Sequence, residues 1–178
     1  MNGERKLDPE SLGDHTDRLY RAAWGLCGSR EEAEDLVQET FAQVLRKPRL
    51  LRADDDLGYL LRVLRNTFFS QGRAARRRPQ TQPLPDDLDR VEDKTAAQPE
   101  ARIESAHVYA AIAALPDDFR DVLVAIDVVG LSYREAARTL RVREATVTTR
   151  LHRARQRVAT ALLEDESRKP ASRRSPSR

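Results

Sequence analysis

Thr146, Thr148, Thr149, His152 and Arg153 bring short hydroxyls, an imidazole and a guanidinium into one short stretch near the C-terminal end of the chain. Such groups read base edges and phosphates in a DNA major groove. Their spacing supports that use. On a helical wheel Val147, Leu151, Ala154 and Val158 share one face at steps of four, three and four. Ala145, Thr149, His152 and Gln156 fall opposite, with Thr146 and Arg153 on one shoulder and Thr148 on the other. The small side chains at the start of this helix allow a backbone to approach DNA. The same pattern also fits a basic surface helix of a helical bundle.

A second set lies in 57–78, where Tyr59, Arg62, Arg65, Asn66 and Arg73 accompany Phe68 and Phe69. Arginine near aromatics and an amide suits single-stranded nucleic acid, whose unstacked bases need planar or hydrogen-bonding partners. Phe68 and Phe69 fit a core equally well. A third set is acidic. Residues 31–45 hold Glu31, Glu32, Glu34, Asp35 and Glu39 without Lys or Arg, which reads as a solvated helix face or as a protein-docking surface. Nothing in the sequence forms a catalytic set. There is no glycine-rich phosphate loop, no Cys/His cluster and no nucleophile–base pair. His15 and His107 do not stand at ligand spacing from His152, so no metal site and no cofactor is expected.

The elements that must carry these residues read as helices throughout. Thr16–Arg46 shows apolar residues at helical spacing, with a break marked by Gly25 and by Gly28 and Ser29. Pro48 ends this stretch, 48–58 reads as a loop, and a helix runs from Leu57 to about Arg76. Residues 79–104 then bring Pro79, Pro83, Pro85, Pro99 and many acidic residues, the composition of an extended linker whose flanking halves move independently. Pro116 and Asp117 open a helix that closes at Gly130. Ser132 and Glu135 form a capping box, a short helix follows, and a tight turn leads to the basic helix: a helix-turn-helix. The expectation is an all-α protein of two small helical domains. Its parts are a flexible N-terminus (1–13), a first domain (14–78), the linker (79–104), a second domain (105–163) and a disordered basic tail (164–178).

Charge is segregated along the chain. The net charge is only +3, yet residues 134–157 carry eight Arg against two Glu, so different segments face different partners. No apolar run is long enough to cross a bilayer, and the N-terminus lacks an apolar signal stretch. With Cys27 as the one cysteine, packed among apolar residues, a reduced cytoplasmic protein is expected.

These segments resemble the extracytoplasmic-function (ECF) sigma factors. EEAEDLVQETFAQVLR (31–46) looks like region 2.2, GYLLRVLRNTFFSQGRAARRR (58–78) is similar to regions 2.3 and 2.4, and residues 114–140 followed by ATVTTRLHRARQRV resemble region 4. The resemblance implies a non-enzymatic subunit that binds core RNA polymerase, recognises −35 and −10 promoter elements and melts promoter DNA. It implies docking of Asp35, Gln38, Glu39 and Phe41 on the clamp helices of the largest polymerase subunit, and contact of the polymerase flap with the chain. Tyr59, Arg62, Arg65, Asn66 and Arg73 would meet the −10 element, with the 48–58 loop helping to capture a flipped base. Thr146, Thr148, Thr149, His152 and Arg153 would meet the −35 element. The acidic linker would thread the RNA exit path, and an anti-sigma factor would hold the protein inactive. Some positions depart from the family pattern. Tyr59 stands where Trp is frequent, Ser70 near a frequent Asp, Thr148 for a frequent Lys or Arg, and Arg141 and Ala145 for glycines of the turn. A non-glycine residue forced into a left-handed turn costs about 1 kcal/mol.

Overall fold

The computed structural model describes residues 4–7, 12–47, 50–52, 55–77 and 99–168. Seven α-helices dominate them: α1 (Leu12–Cys27), α2 (Arg30–Arg46), α3 (Asp56–Arg77), α4 (Pro99–Ala113), α5 (Asp117–Leu123), α6 (Tyr133–Leu140) and α7 (Glu144–Arg168). The architecture is all-α, as the periodicity predicts. A π-helical turn, Val124–Val128, continues α5. One small feature escaped the sequence pattern: Glu4–Lys6 (β1) and Leu50–Arg52 (β2) pair as a short antiparallel ribbon, with Glu4 opposite Arg52. Three-residue strands are too short to show an alternating pattern.

Local signals set the helix ends. Ser29 is the N-cap of α2, its hydroxyl accepting from the Glu32 amide at 3.5 Å. The expected break falls at Gly28 and Ser29, where Gly28 takes φ 79°, while Gly25 lies inside α1. Gly130 takes φ 85° and ends the α5–π segment, with the Leu131 amide reaching back to the Ala125 carbonyl at 3.0 Å. The Ser132–Glu135 capping box forms in both directions. Arg141 caps α6 at φ 57° and ψ 44°, a left-handed conformation that costs a non-glycine residue about 1 kcal/mol.

Two boundaries differ from those read by composition. Helix α4 starts at Pro99, inside the segment assigned to the linker, and α7 runs on to Arg168, inside the segment assigned to the tail. A proline at a first helical position is compatible with a helix, because its missing N–H has no partner there anyway. Residues 78–98 and 169–178 lie outside the described residues, and so do the linker and tail expectations that fall on them.

The core is continuous from the first half to the second. Leu19, Ala22, Ala23 and Leu26 of α1 pack with Ala33, Leu36, Val37 and Val44 of α2 and with Leu60, Leu61 and Leu64 of α3. The same cluster takes in Ile112, Leu115, Val122, Leu123 and Val124, and reaches Val147, Leu151 and Ala154 of α7. The contact between halves is close because α1 presents small residues there. A Cβ on Gly25 would meet Val124 Cγ2 at 3.0 Å, and one on Gly28 would meet the Ala113 Cβ at 3.0 Å. Beside them Trp24 stacks on Tyr109 at 4.0 Å and 16°, and Arg30 lies over the Trp24 ring at 4.4 Å. Thus the halves, expected from linker composition to move independently, share an apolar seam. Cys27 packs half-buried at its edge. Burial, reinforced by the nearby Glu32 charge, pushes its thiol up to about 12 and keeps it protonated.

The capping box gives a direct test. Glu135 is held below the usual carboxylate range, first by the Ser132 hydroxyl and then by the Ser132 amide. A depressed carboxylate stabilises the fold above its unfolded pKa, and that contribution is lost as pH falls through the folded value. Ser132→Ala should therefore lower unfolding free energy by about 1 kcal/mol at neutral pH. The deficit should shrink below about pH 4 in chemical denaturation, as Glu135 protonates in the native chain as well.

Candidate nucleic-acid and polymerase interface

Helix α7 presents its two faces as the wheel requires. Val147, Leu151 and Ala154 are buried, while Thr148, Thr149, His152 and Arg153 are exposed and Thr146 is half-buried. The Thr148 hydroxyl donates to the Glu144 carbonyl at 3.1 Å and that of Thr149 to Ala145 at 3.0 Å. Each threonine thereby spends its proton on its own helix. Its oxygen lone pairs and methyl group remain for a partner's donors and for a thymine methyl.

The arginines of α7 divide into separate roles. Arg150 pairs with Asp118 at 2.6 Å, Arg155 takes both Asp127 oxygens at 2.9 and 2.6 Å, and Arg157 lies over the Phe119 ring at 4.6 Å. These tie α7 to α5 and the π turn. Exposed pairs contribute little to stability, so their effect is to orient the helix. Arg153 has no partner among the described residues. It lines a shallow surface hollow of about 580 Å³ with Arg143, Thr146, Thr149 and Arg150 at the start of the helix.

Helix α3 carries the second set. Tyr59 is buried, 8% exposed, yet borders a cavity of about 510 Å³ with Arg62, Val63 and Asn66. Asn66 is exposed there, and Arg62 Nε is buried without a hydrogen-bond partner among the described residues. Arg46 and Lys47 from the end of α2 and Arg141 from the second half give a strongly basic lining, with Glu39 the only carboxylate among the described residues. Arg73 is exposed further along, donating to the Ser70 hydroxyl at 3.1 Å. Arg65 is not available in the same way, because its Nε donates to Asp121 Oδ2 at 2.5 Å. The Asp121 side chain is only 4% exposed. Burial raises its pKa and the Arg65 charge lowers it, and burial prevails. Loop 48–58, assigned to base capture, holds β2 and the first turn of α3 instead of a single irregular segment.

The acidic set divides too. Asp35 and Gln38 are exposed on α2, while Glu39 accepts from Gln43 at 3.1 Å and stands 3.9 Å from Arg46. Phe41 is half-buried against the core, so only part of its ring is open to a partner. Sequence reasoning missed Asp121, Arg120 and the cavity role of Arg141. In DDFRD the acidic residues signal a helix start, and nothing local marks one of them as a partner for an arginine 56 residues earlier. Among the described residues no helix is long and apolar enough to cross a membrane.

Residues 12–78 match the family described as Sigma-70 region 2, and residues 106–158 match Sigma-70, region 4. The chain is 39% identical over 162 residues to the ECF RNA polymerase sigma factor SigE of Mycolicibacterium smegmatis, covering 89% of this chain and 62% of SigE. The chain thus spans less than two thirds of that relative. It is 33% identical to the ECF RNA polymerase sigma factor EcfG of Rhodopseudomonas palustris, over 83% of this chain and 80% of EcfG. It is 34% identical to the ECF RNA polymerase sigma factor SigM of Mycobacterium tuberculosis, over 90% and 79% respectively. Among solved structures, CnrH in complex with the cytosolic domain of CnrY aligns with TM-score 0.61 at 24% identity, over 88% of this chain and 87% of that one. The sigma factor RpoE bound to the anti-sigma factor NepR, from Bartonella quintana, aligns with TM-score 0.61 at 23% identity, over 88% and 98%. At such identities the structures speak for the fold alone. The region 2 and region 4 matches, in this order and carried by α1–α3 and α4–α7, together with relatives above 30% identity, make the chain a member of the ECF RNA polymerase sigma factors of the sigma-70 family.

Proposed function

We infer that the chain brings core RNA polymerase to promoters and opens them. Region 2 (14–78) would hold polymerase and the −10 element, region 4 (105–163) would read the −35 element, and 79–104 would join them. The observation that carries this is the pairing, on one chain, of an exposed hydroxyl-and-arginine face on α7 with a basic cavity at Tyr59, Arg62 and Asn66 on α3. The first suits duplex DNA and the second an unstacked strand. Asp35, Gln38, Glu39 and the open edge of Phe41 would dock on the clamp helices of the largest polymerase subunit, where exposed charge governs a complementary interface. Region 4 would meet the flap. Thr146, Thr148, Thr149, His152 and Arg153 would contact the −35 element. Tyr59, Arg62, Asn66 and Arg73 would contact the −10 strand, joined by Arg65 once it leaves Asp121.

In this reading the chain has no catalytic residue. Strand separation is driven by binding energy for the unpaired strand, with no bond made or broken. The site of action is the cytoplasm, and an anti-sigma factor of the kind present in the RpoE–NepR complex restrains the protein. A stand-alone helix-turn-helix regulator would account for α5–α7 but leaves the acidic face of α2 and the basic cavity of α3 without a use.

Run-off transcription from a randomised promoter library, with and without core polymerase, tests the reading. Promoter-specific transcripts should appear only when both are present, and their absence from every template would leave the regulator reading. In the same assay the double reversal Asp35→Lys and Glu39→Lys should abolish most transcription and copurification with core, while thermal unfolding moves little. Unchanged copurification would remove α2 as the docking surface. Arg153→Ala should lower discrimination between selected and scrambled −35 duplexes by about 1–3 kcal/mol in a binding titration. Uniform weakening on both duplexes would make Arg153 a phosphate contact instead.

A further inference from the structure

Three cations of the α3 cavity lie outside the promoter contacts assigned to Tyr59, Arg62 and Asn66. Arg46 and Lys47 close α2 and Arg141 closes α6, yet all three line the same hollow of about 510 Å³ as Arg62. That volume falls in the usual range of small-molecule sites, about 300–1,000 Å³. Tyr59 and Val63 add an apolar wall, and Asn66 adds an amide.

The charge of this hollow is not balanced from within. Four cations face one carboxylate, Glu39. That carboxylate is already tied down: it accepts from Gln43 at 3.1 Å, and Gln43 in turn accepts from the Thr67 hydroxyl at 3.2 Å. Its contact with Arg46, at 3.9 Å between exposed groups, is loose. Lys47, Arg62 and Arg141 have no carboxylate partner among the described residues. The Arg62 Nε is buried with no hydrogen-bond partner among them, so its charge is held at the wall uncompensated. Elsewhere the same chain pairs its arginines, as Asp118 and Asp127 do for Arg150 and Arg155. Arg141 carries a backbone cost as well. A cation is kept at φ 57°, where glycine would be unstrained.

The formal excess of three positive charges sets the class of ligand. One phosphate group carries about −1.5 to −2 charges near neutral pH, which leaves the hollow positive, whereas two joined groups match it to within about one charge. A guanidinium takes phosphate oxygens through paired donors and an ammonium takes them as a point charge. We propose that this hollow binds a small diphosphate anion, held by Arg46, Lys47, Arg62 and Arg141. The source is inorganic pyrophosphate or the diphosphate group of a free nucleotide. Cations of both halves make up the set, so the site is complete in the free chain as it is packed in this structure. The site needs no promoter and goes beyond the promoter reading.

Isothermal titration calorimetry of the full chain with inorganic pyrophosphate tests it, at about 150 mM salt to screen diffuse surface binding. A single site per chain is expected, and thermal unfolding should shift upward with pyrophosphate concentration. Arg141→Gly and Arg46→Gln should each weaken binding about tenfold or more. Without ligand, Arg141→Gly should unfold no earlier than the unmodified chain, because glycine suits the left-handed turn. Loss of binding in that variant is then a loss of the cation and not of the fold. Arg18→Ala, which removes an exposed cation of α1 outside the hollow, should bind as the unmodified chain does. Titration of ADP and GDP separates the sources: tighter binding of either assigns the site to nucleotides, and equal or weaker binding assigns it to the inorganic anion. No binding of any of the three, or binding that Arg141→Gly and Arg46→Gln leave unchanged, overturns the proposal. Equal binding of sulfate overturns it too, since the hollow would then hold any anion. Failure of promoter-specific transcription with this site intact would refute the promoter reading alone.

Discussion

Everything in this molecule depends on how closely α1 lies against the second half of the chain. Gly25 and Gly28 let the helix approach until Val124 and Ala113 stand where side chains would otherwise be, and Trp24 closes the seam on Tyr109. Burial of that apolar surface, at about 25 cal/mol per Å², is the term large enough to hold the halves together. The polar contacts between the halves are not. Among the described residues the ion pair across the seam joins the partly exposed Arg65 to a carboxylate whose burial outweighs its pairing, and such pairs contribute weakly to net stability. The apolar seam therefore sets the arrangement, and the polar groups are carried into register by it.

That division of labour explains why the functional side chains look as they do. On α7 the inward arginines, Arg150 and Arg155, are spent on Asp118 and Asp127 and fix the helix, while Arg153 and His152 project freely. On α3 the cationic groups lie partly under region 4, and the cavity they form takes Arg141 from the turn. One set of arginines fixes α7 with its hydroxyl face outward, and another is partly covered by the second half. The left-handed Arg141 ends α6 and also lines the cavity on α3.

Much of this was legible in the sequence because it is local. Helical periodicity, the Ser29 and Ser132 caps, the Gly130 stop and the two-faced α7 all depend on residues within a few positions of each other. The exposed members of the α7 site followed from the same wheel. What could not be read is long-range. The proline-rich composition before α4 says nothing about whether the halves then touch, and small residues in α1 acquire meaning only once Val124 and Ala113 are opposite them. Tyr59 illustrates the limit within the site: its place in the motif was readable, but its burial depends on what packs over it. The pairing of Arg65 with Asp121 likewise joins segments with no shared pattern.

The central claim, that the α1 seam fixes one arrangement of the two halves, concerns a distance between two regions of an intact chain. Spin labels at the exposed positions Gln71 and Thr160, in a chain with Cys27→Ala, would report it by pulsed dipolar spectroscopy. The free protein should give one narrow distribution at the spacing of this structure, and Gly25→Leu, whose side chain would collide with Val124, should replace it with a broader and longer one. A free protein with a broad distribution, or one that Gly25→Leu leaves unchanged, would contradict the account.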